Sequence, residues 1–189
     1  MAAILISLCA TTLVSTSFAV AQEQSTSREY KLKVAYLYNF SRYVTWPNHA
    51  FESTDDPFVI GILGNDPFGA SIDSLARMKK VGGRTVVVKR FRSVREYVPC
   101  HILFVSGVIQ NTNHEDALDV AEGNATLIIG EASGFAQSGG TVSFFKDPNG
   151  TIGFDINIDA TRRQLLTFQA PVLKLANIVQ DSPDRMVPR

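Results

Sequence analysis

The stretch "FVIGILGNDPFG" runs from Phe58 to Gly69. Its first six residues, Phe58–Leu63, form an unbroken apolar run. That pattern belongs to a strand buried on both faces, as in a parallel sheet covered by helices. The run stops at Gly64-Asn65-Asp66. Asp66 suits a helix N-cap and Pro67 a first helical residue, so a helix is expected from Pro67 to about Met78. Phe68, Ile72, Leu75 and Ala76 would share one side of it.

The same alternation continues downstream. "VGGR" (81–84) turns the chain and "TVVVKRF" (Thr85–Phe91) reads as the second strand. A short helix near Val94–Tyr97 precedes "HILFVS" (His101–Ser106), the third. Residues 113–122 suit a helix with Ala117, Leu118 and Ala121 apolar, and "ATLIIG" (Ala125–Gly130) is the fourth strand. Strands alternating with helices predict an α/β fold, a mainly parallel sheet flanked by helices on both faces. After Gly139-Gly140 the pattern changes. "TVSFFKDPNGTIGFDI" places two alternating runs about a Pro-Asn-Gly turn, which predicts an antiparallel hairpin near the C-terminus, at the sheet edge. Asp159–Gln164 reads as a helical turn, "LLTF" as extended, and "VLKLANIV" as a last helix with Pro171 in its first turn.

Upstream lies "VAYLYNFSRYVTWP" (Val34–Pro47), most of it in a helix expected from about Arg28 to Tyr43. It ends before Trp46-Pro47, because Pro disfavours the α region at the residue before it. On a wheel of about 100° per residue, Val34, Leu37 and Tyr38 lie together, with Tyr36, Phe40 and Tyr43 nearly opposite. Such a helix is either clamped within a core or presents Tyr36, Phe40 and Tyr43 at a self-association or partner surface.

The first 21 residues, MAAILISLCATTLVSTSFAVA, carry no Lys, Arg, Asp or Glu, and Ala19 and Ala21 make an A-x-A pattern before a polar run. This reads as a secretory signal peptide cut after Ala21, although the usual opening Lys or Arg is missing. The mature chain would be one domain, 22–180, with a polar tail at 181–189. Its expected location is the periplasm, with no membrane span. The whole chain has 18 basic and 18 acidic residues, so no basic excess favours nucleic acid. Cys100 would be the one cysteine left, which excludes an intramolecular disulfide.

Chemistry is sparse. The glycines do not form G-x-G-x-x-G, and no P-loop lysine or G-x-S-x-G elbow is present, so no nucleotide cofactor and no catalytic triad is expected. His49, His101 and His114 are scattered, which supports no metal site. Open parallel sheets bind ligands beyond the carboxyl ends of their strands. There Asn65, Asp66, Ser106 and Glu131 are candidate ligand-binding residues; the alternative is that they are turns and caps. Arg163, after the hairpin, could reach a carboxylate ligand, or could simply be solvated.

The ordered series "VAYLYNFSRYVTWP", "VIGILGNDPFG", "CHILFVS", "GEASGFAQSGG" and "IGFDINIDATRRQ...LKLANIV" resembles the YfiR/HmsC-like family of bacterial periplasmic proteins. The resemblance implies regulation rather than catalysis. Members characterised as regulators repress an inner-membrane diguanylate cyclase by binding its periplasmic domain, which lowers cyclic di-GMP and biofilm formation, and they tend to form homodimers. A second reading is a periplasmic small-ligand sensor that signals to a membrane histidine kinase or cyclase. Family members often carry paired cysteines, whereas only Cys100 matches here.

Overall fold

The structure is a computed structural model that describes residues 25–107 and 114–183. The expected signal peptide (1–21) and all but the first three residues of the expected tail (181–189) lie outside the described residues.

Helix α1 (residues 25–43) leads into strand β1 (Val44–Thr45) and a 3-10 turn, Asn48–Ala50. The central strands follow: β2 (Phe58–Leu63), β3 (Lys80–Val81), β4 (Arg84–Phe91), β5 (Ile102–Val105), β6 (Leu127–Gly130) and β7 (Val142–Lys146). Helix α2 (Ala70–Met78) separates β2 from β3, and α3 (His114–Ala121) separates β5 from β6. The chain ends with β8 (Ile152–Asn157), α4 (Ile158–Arg163), β9 (Thr167–Phe168), α5 (Ala170–Leu173) and β10 (Asn177–Val179).

Eight strands pair in the order β10-β8-β7-β6-β5-β2-β4-β3, and β1 and β9 form a separate antiparallel pair. From β4 to β7 all neighbours are parallel; β7–β8 and β3–β4 are antiparallel. The order reverses between β2 and β5, because β4 lies on one side of β2 and β5 to β7 on the other. Such a reversal is where doubly wound sheets open a crevice.

All six residues of β2 are buried. Their side chains alternate between two cores. Phe58, Ile60 and Ile62 join α1, α2 and the hairpin aromatics on one face; Val59 and Leu63 join Phe91, Leu103, Leu118 and Phe135 on the other. Helices therefore cover both faces.

Three elements differ from the sequence expectation. Helix α2 starts at Ala70, not Pro67. Asp66 Oδ1 accepts from the Phe68 and Gly69 N–H groups in a turn, and Gly69 at φ 49° is not helical. The last helix stops at Leu173, and Asn177–Val179 instead pairs parallel with β8. Pairing there supplies partners for backbone groups that β8 would otherwise leave open at an edge. The hairpin is consequently interior, with β10 outside it.

Helix α1 is clamped against the sheet. Phe40 is 1% exposed and lies 5.1 Å from Phe154, 6.1 Å from Phe144 and 6.2 Å from Phe168, centroid to centroid. Its ring is therefore a core group and presents no surface to a second chain in this conformation. Tyr36, 5.3 Å from Phe154 and 5.8 Å from Phe144, is half-buried beside it. Tyr43 is also half-buried, at the helix end.

Gly61 sits at a tight point of the second core. A Cβ there would lie 2.8 Å from Phe91 Cε2 and 2.9 Å from Cys100 Sγ. Gly61→Ala should cost about 1–3 kcal/mol through overpacking, read by urea denaturation. Adding Cys100→Ala should recover part of that loss, since it removes one of the two obstructing atoms.

Candidate functional site

The carboxyl ends of β2, β5 and β6 converge beneath the first turns of α1. Gly107 is adjacent to Glu131; a Cβ on it would sit 3.8 Å from Glu131 Oε1. Tyr30 of α1 packs edge-on to Phe68, just past β2, at 5.7 Å. Tyr30 Oη donates to Glu131 Oε1 and Oε2 at 3.2 and 3.3 Å.

Lys33 closes this cluster. Its Nζ donates to Glu131 Oε2 and to Glu29 Oε1, both at 2.7 Å, and lies 4.5 Å from the Tyr30 ring centroid. Its side chain is 5% exposed, against 16% for Glu131 and 21% for Glu29. Lys146 of the hairpin reaches Glu29 at 3.3 Å. A charge held this far from water needs paired, hydrogen-bonded partners, and the two carboxylates supply them. Burial opposes ionisation of Glu29, but the Lys33 and Lys146 ammonium groups outweigh it and hold its carboxyl below the ordinary value. Burial and the Glu131 charge push the Tyr30 hydroxyl up to about 12, so it stays a donor.

The other expected ligand residues are placed as follows. Asp66 accepts at Oδ1 from two backbone amides and at Oδ2 from Arg90 Nε at 2.8 Å, while Arg90 also reaches Asp73. Ser106 is buried, with its N–H on Leu63 O, and Asn65 is exposed. Arg163 is not part of this crevice. It lies at the opposite, amino end of the sheet, beside Gln164, whose Oε1 accepts from Thr126 N–H near the start of β6. There Arg163 pairs with Asp181 and with Glu122, tying the C-terminal segment to α4. The hairpin reversal decides this, because β8 runs back and delivers α4 to the amino end.

Lys33, Tyr30 and Glu29 were missed by motif reading. The available signal was helical spacing: Lys33 falls in the buried stripe with Leu37, Phe40 and Val44, with Glu29 one turn before it.

A second polar feature sits at the amino end. His101 is stacked between Phe51 at 4.3 Å and Phe58 at 4.8 Å. Its Nδ1 accepts from Val59 N–H at 2.9 Å, which leaves Nε2–H to donate to Ala50 O at 3.0 Å. Burial lowers its pKa. Cys100 beside it is buried, and burial pushes its thiol up to about 12, which leaves it a packing residue rather than a reactive thiolate. Among the described residues no group of three His, Cys, Asp or Glu side chains is placed to hold a metal ion, and no helix is long and apolar enough to cross a membrane.

The strand order and the ion cluster at the strand ends define a doubly wound α/β domain whose switch-point crevice is filled by its own first helix. The chain belongs to the YfiR/HmsC-like family, whose profile matches residues 30–177. That family comprises periplasmic regulatory proteins of cyclic di-GMP signalling. Two solved structures are similar over part of their length. One is a conserved domain protein from Vibrio cholerae O1 biovar El Tor, 14% identical, TM-score 0.46, covering 66% of this chain and 55% of that one. The other is an ABC domain in complex with L-Trp from Streptococcus pneumoniae, 17% identical, TM-score 0.44, covering 64% and 55%. The chain thus spans about half the length of each. A search of curated proteins finds no match.

Two expected outcomes follow from these environments. Lys33→Met should cost about 2–3 kcal/mol at pH 7, toward the low end for a broken buried pair because both carboxylates keep some solvent. The loss should shrink in acid, because the stabilisation that Lys33 gives the Glu29 carboxylate is lost as pH falls through the lowered folded pKa of Glu29; chemical denaturation at pH 7 and at acid pH measures it. For His101 the folded pKa is below the unfolded value, so its contribution is present above about pH 6.5 and is lost as pH falls toward the folded pKa. His101→Phe should flatten that acid limb while lowering stability at neutral pH by about 1–3 kcal/mol, because the Val59 N–H and Ala50 carbonyl lose their partner.

Proposed function

We propose that this protein is exported to the periplasm, where it binds and represses an inner-membrane diguanylate cyclase as a homodimer. Repression lowers cyclic di-GMP and biofilm formation. The observation that carries this reading is the family match, which runs from Tyr30 in α1 to Asn177 in β10. It therefore takes in the switch-point ion cluster, apart from Glu29, and nearly all of the sheet.

The arrangement of the acids supports binding over catalysis. Glu131 and Asp66, the carboxylates nearest the strand ends, are engaged by Lys33, Tyr30 and Arg90 rather than poised with a free base. A catalytic acid or base has to exchange protons with a substrate within hydrogen-bond reach. Partner binding needs only surface, and the C-terminal stretch offers apolar surface: Leu165, Leu175 and Ile178 are 60%, 72% and 52% exposed. Ile178 lies in the edge strand β10, whose outer backbone can pair with a further strand.

Deletion of the gene, in a strain with the candidate cyclase intact, should raise cyclic di-GMP and biofilm. Unchanged levels would count decisively against the reading. Leu175→Asp should leave the fold intact and reduce co-purification with the inner-membrane partner by about tenfold or more, the scale of a desolvated apolar contact replaced by a charge.

A further inference from the structure

The charges of this chain balance overall, but the fold sorts them onto opposite layers. Helix α1 and the α2–β3 segment (residues 25–43 and 70–81) carry seven Lys and Arg against two acids, Glu29 and Asp73. Both helices pack on one face of the sheet, α1 through Leu37 and Phe40 and α2 through Ile72 and Leu75. Helix α3 covers the other face through Ala117, Leu118 and Ala121. Its exposed side and the residue after it carry Glu115, Asp116, Asp119 and Glu122, and residues 114–122 contain no Lys or Arg.

On the basic layer five cations form one patch with Met78. Lys31 and Lys79 line the groove between α1 and α2, together with Ala35, Tyr38 and Met78, and no carboxylate lines it. Lys79 Nζ and Arg42 Cζ lie 5.9 and 5.7 Å from the Tyr38 ring centroid, so Arg42 adjoins the same groove. Arg77 precedes Met78 and donates to Ser74 Oγ, a groove residue, at 3.0 Å. Lys80 follows Lys79 into β3. Lys31, Arg42, Arg77, Lys79 and Lys80 are all exposed, and Met78 among them is 73% exposed. The two acids of this layer are engaged elsewhere, Glu29 by Lys33 and Lys146, and Asp73 by Arg90. Ion pairs among the described residues use Lys33, Arg90, Lys146, Arg162 and Arg163, not the patch cations. Arg84, beside the loop that holds Asp56, lies outside the patch.

We propose that this face docks on an anionic phospholipid bilayer, with the five cations on headgroup phosphates and Met78 entering the headgroup region. Two observations favour a bilayer over an acidic protein. An apolar side chain standing out among long cationic ones suits an interface that is charged at its surface and apolar just beneath. The acids of α3 lie on the far layer, so an extended negative surface orients the whole domain with α3 turned away. The inference rests on the reading that the chain works beside the inner membrane, and adds an orientation to it. Vesicle binding is read with no cyclase present, so its failure and failure of the cyclase reading are separate results.

The test co-sediments the protein, purified from the periplasmic fraction, with vesicles of equal parts phosphatidylglycerol and phosphatidylcholine, and with vesicles of phosphatidylcholine alone. The anionic vesicles should bind at least about tenfold more tightly, since each Lys or Arg near such a surface contributes roughly fivefold. The preference should vanish in about 1 M salt, where the screening length falls to about 3 Å. Lys79→Glu combined with Lys80→Glu should weaken binding by about tenfold or more, and Met78→Ser by about threefold. Arg162→Glu, which reverses a 75% exposed cation on α4, should leave binding unchanged. Thermal midpoints check that each variant is folded. The proposal is overturned if the two kinds of vesicle bind alike, if neither binds, or if the patch variants bind as the parent does. If the parent ignores vesicles and the double variant loses co-purification with the cyclase, the patch belongs to a protein partner and the proposal falls.

Discussion

All six residues of β2 are buried, so this strand must be hydrogen-bonded along both edges and covered on both faces. Everything around it answers that requirement. Parallel neighbours β4 and β5 take its edges. Helices α1 and α2 cover the face of Phe58, Ile60 and Ile62, while α3 and the Phe91–Tyr97 region cover the face of Val59 and Leu63. With β4 on one side and β5 on the other, the strand order reverses at β2, and the reversal opens a crevice at the carboxyl ends.

That crevice is filled from within. Covering the first face brings α1 across the strand ends, and helical periodicity then turns Lys33 inward with Leu37 and Phe40. A buried ammonium needs carboxylates, and Glu29 and Glu131 provide them. The place where many doubly wound proteins hold a ligand is occupied here by an ion cluster that fixes helix to sheet.

Much of the fold was legible because its signals are local. Unbroken apolar runs marked β2, β5 and β6, alternation about Pro148-Asn149-Gly150 marked the hairpin, and Trp46-Pro47 marked the limit of α1. Elements that depend on distant pairing were not. "NIV" became β10 because β8 stood open beside it, and Val44–Thr45 became β1 because Thr167–Phe168 could pair with it. Candidate site residues divided the same way. Asp66, Ser106 and Glu131 do gather at the strand ends, as strand-to-loop boundaries implied. Arg163 does not, since an antiparallel strand intervenes and reverses the chain.

By itself the sequence determined the layering, since continuous apolar strands can only be satisfied in the interior of a covered sheet. It also determined the family, through the order of otherwise plain motifs. The tertiary structure alone decided which charges meet. The partners Lys33 and Glu131 stand 98 residues apart, and no local pattern specifies a contact over that distance. Nor does local pattern reveal that the Trp46 indole lacks an acceptor among the described residues, because satisfaction of a buried donor depends on every element packed around it. Pairing and its absence are properties of the folded arrangement, and the ion cluster of Lys33, Glu29 and Glu131 exists only there.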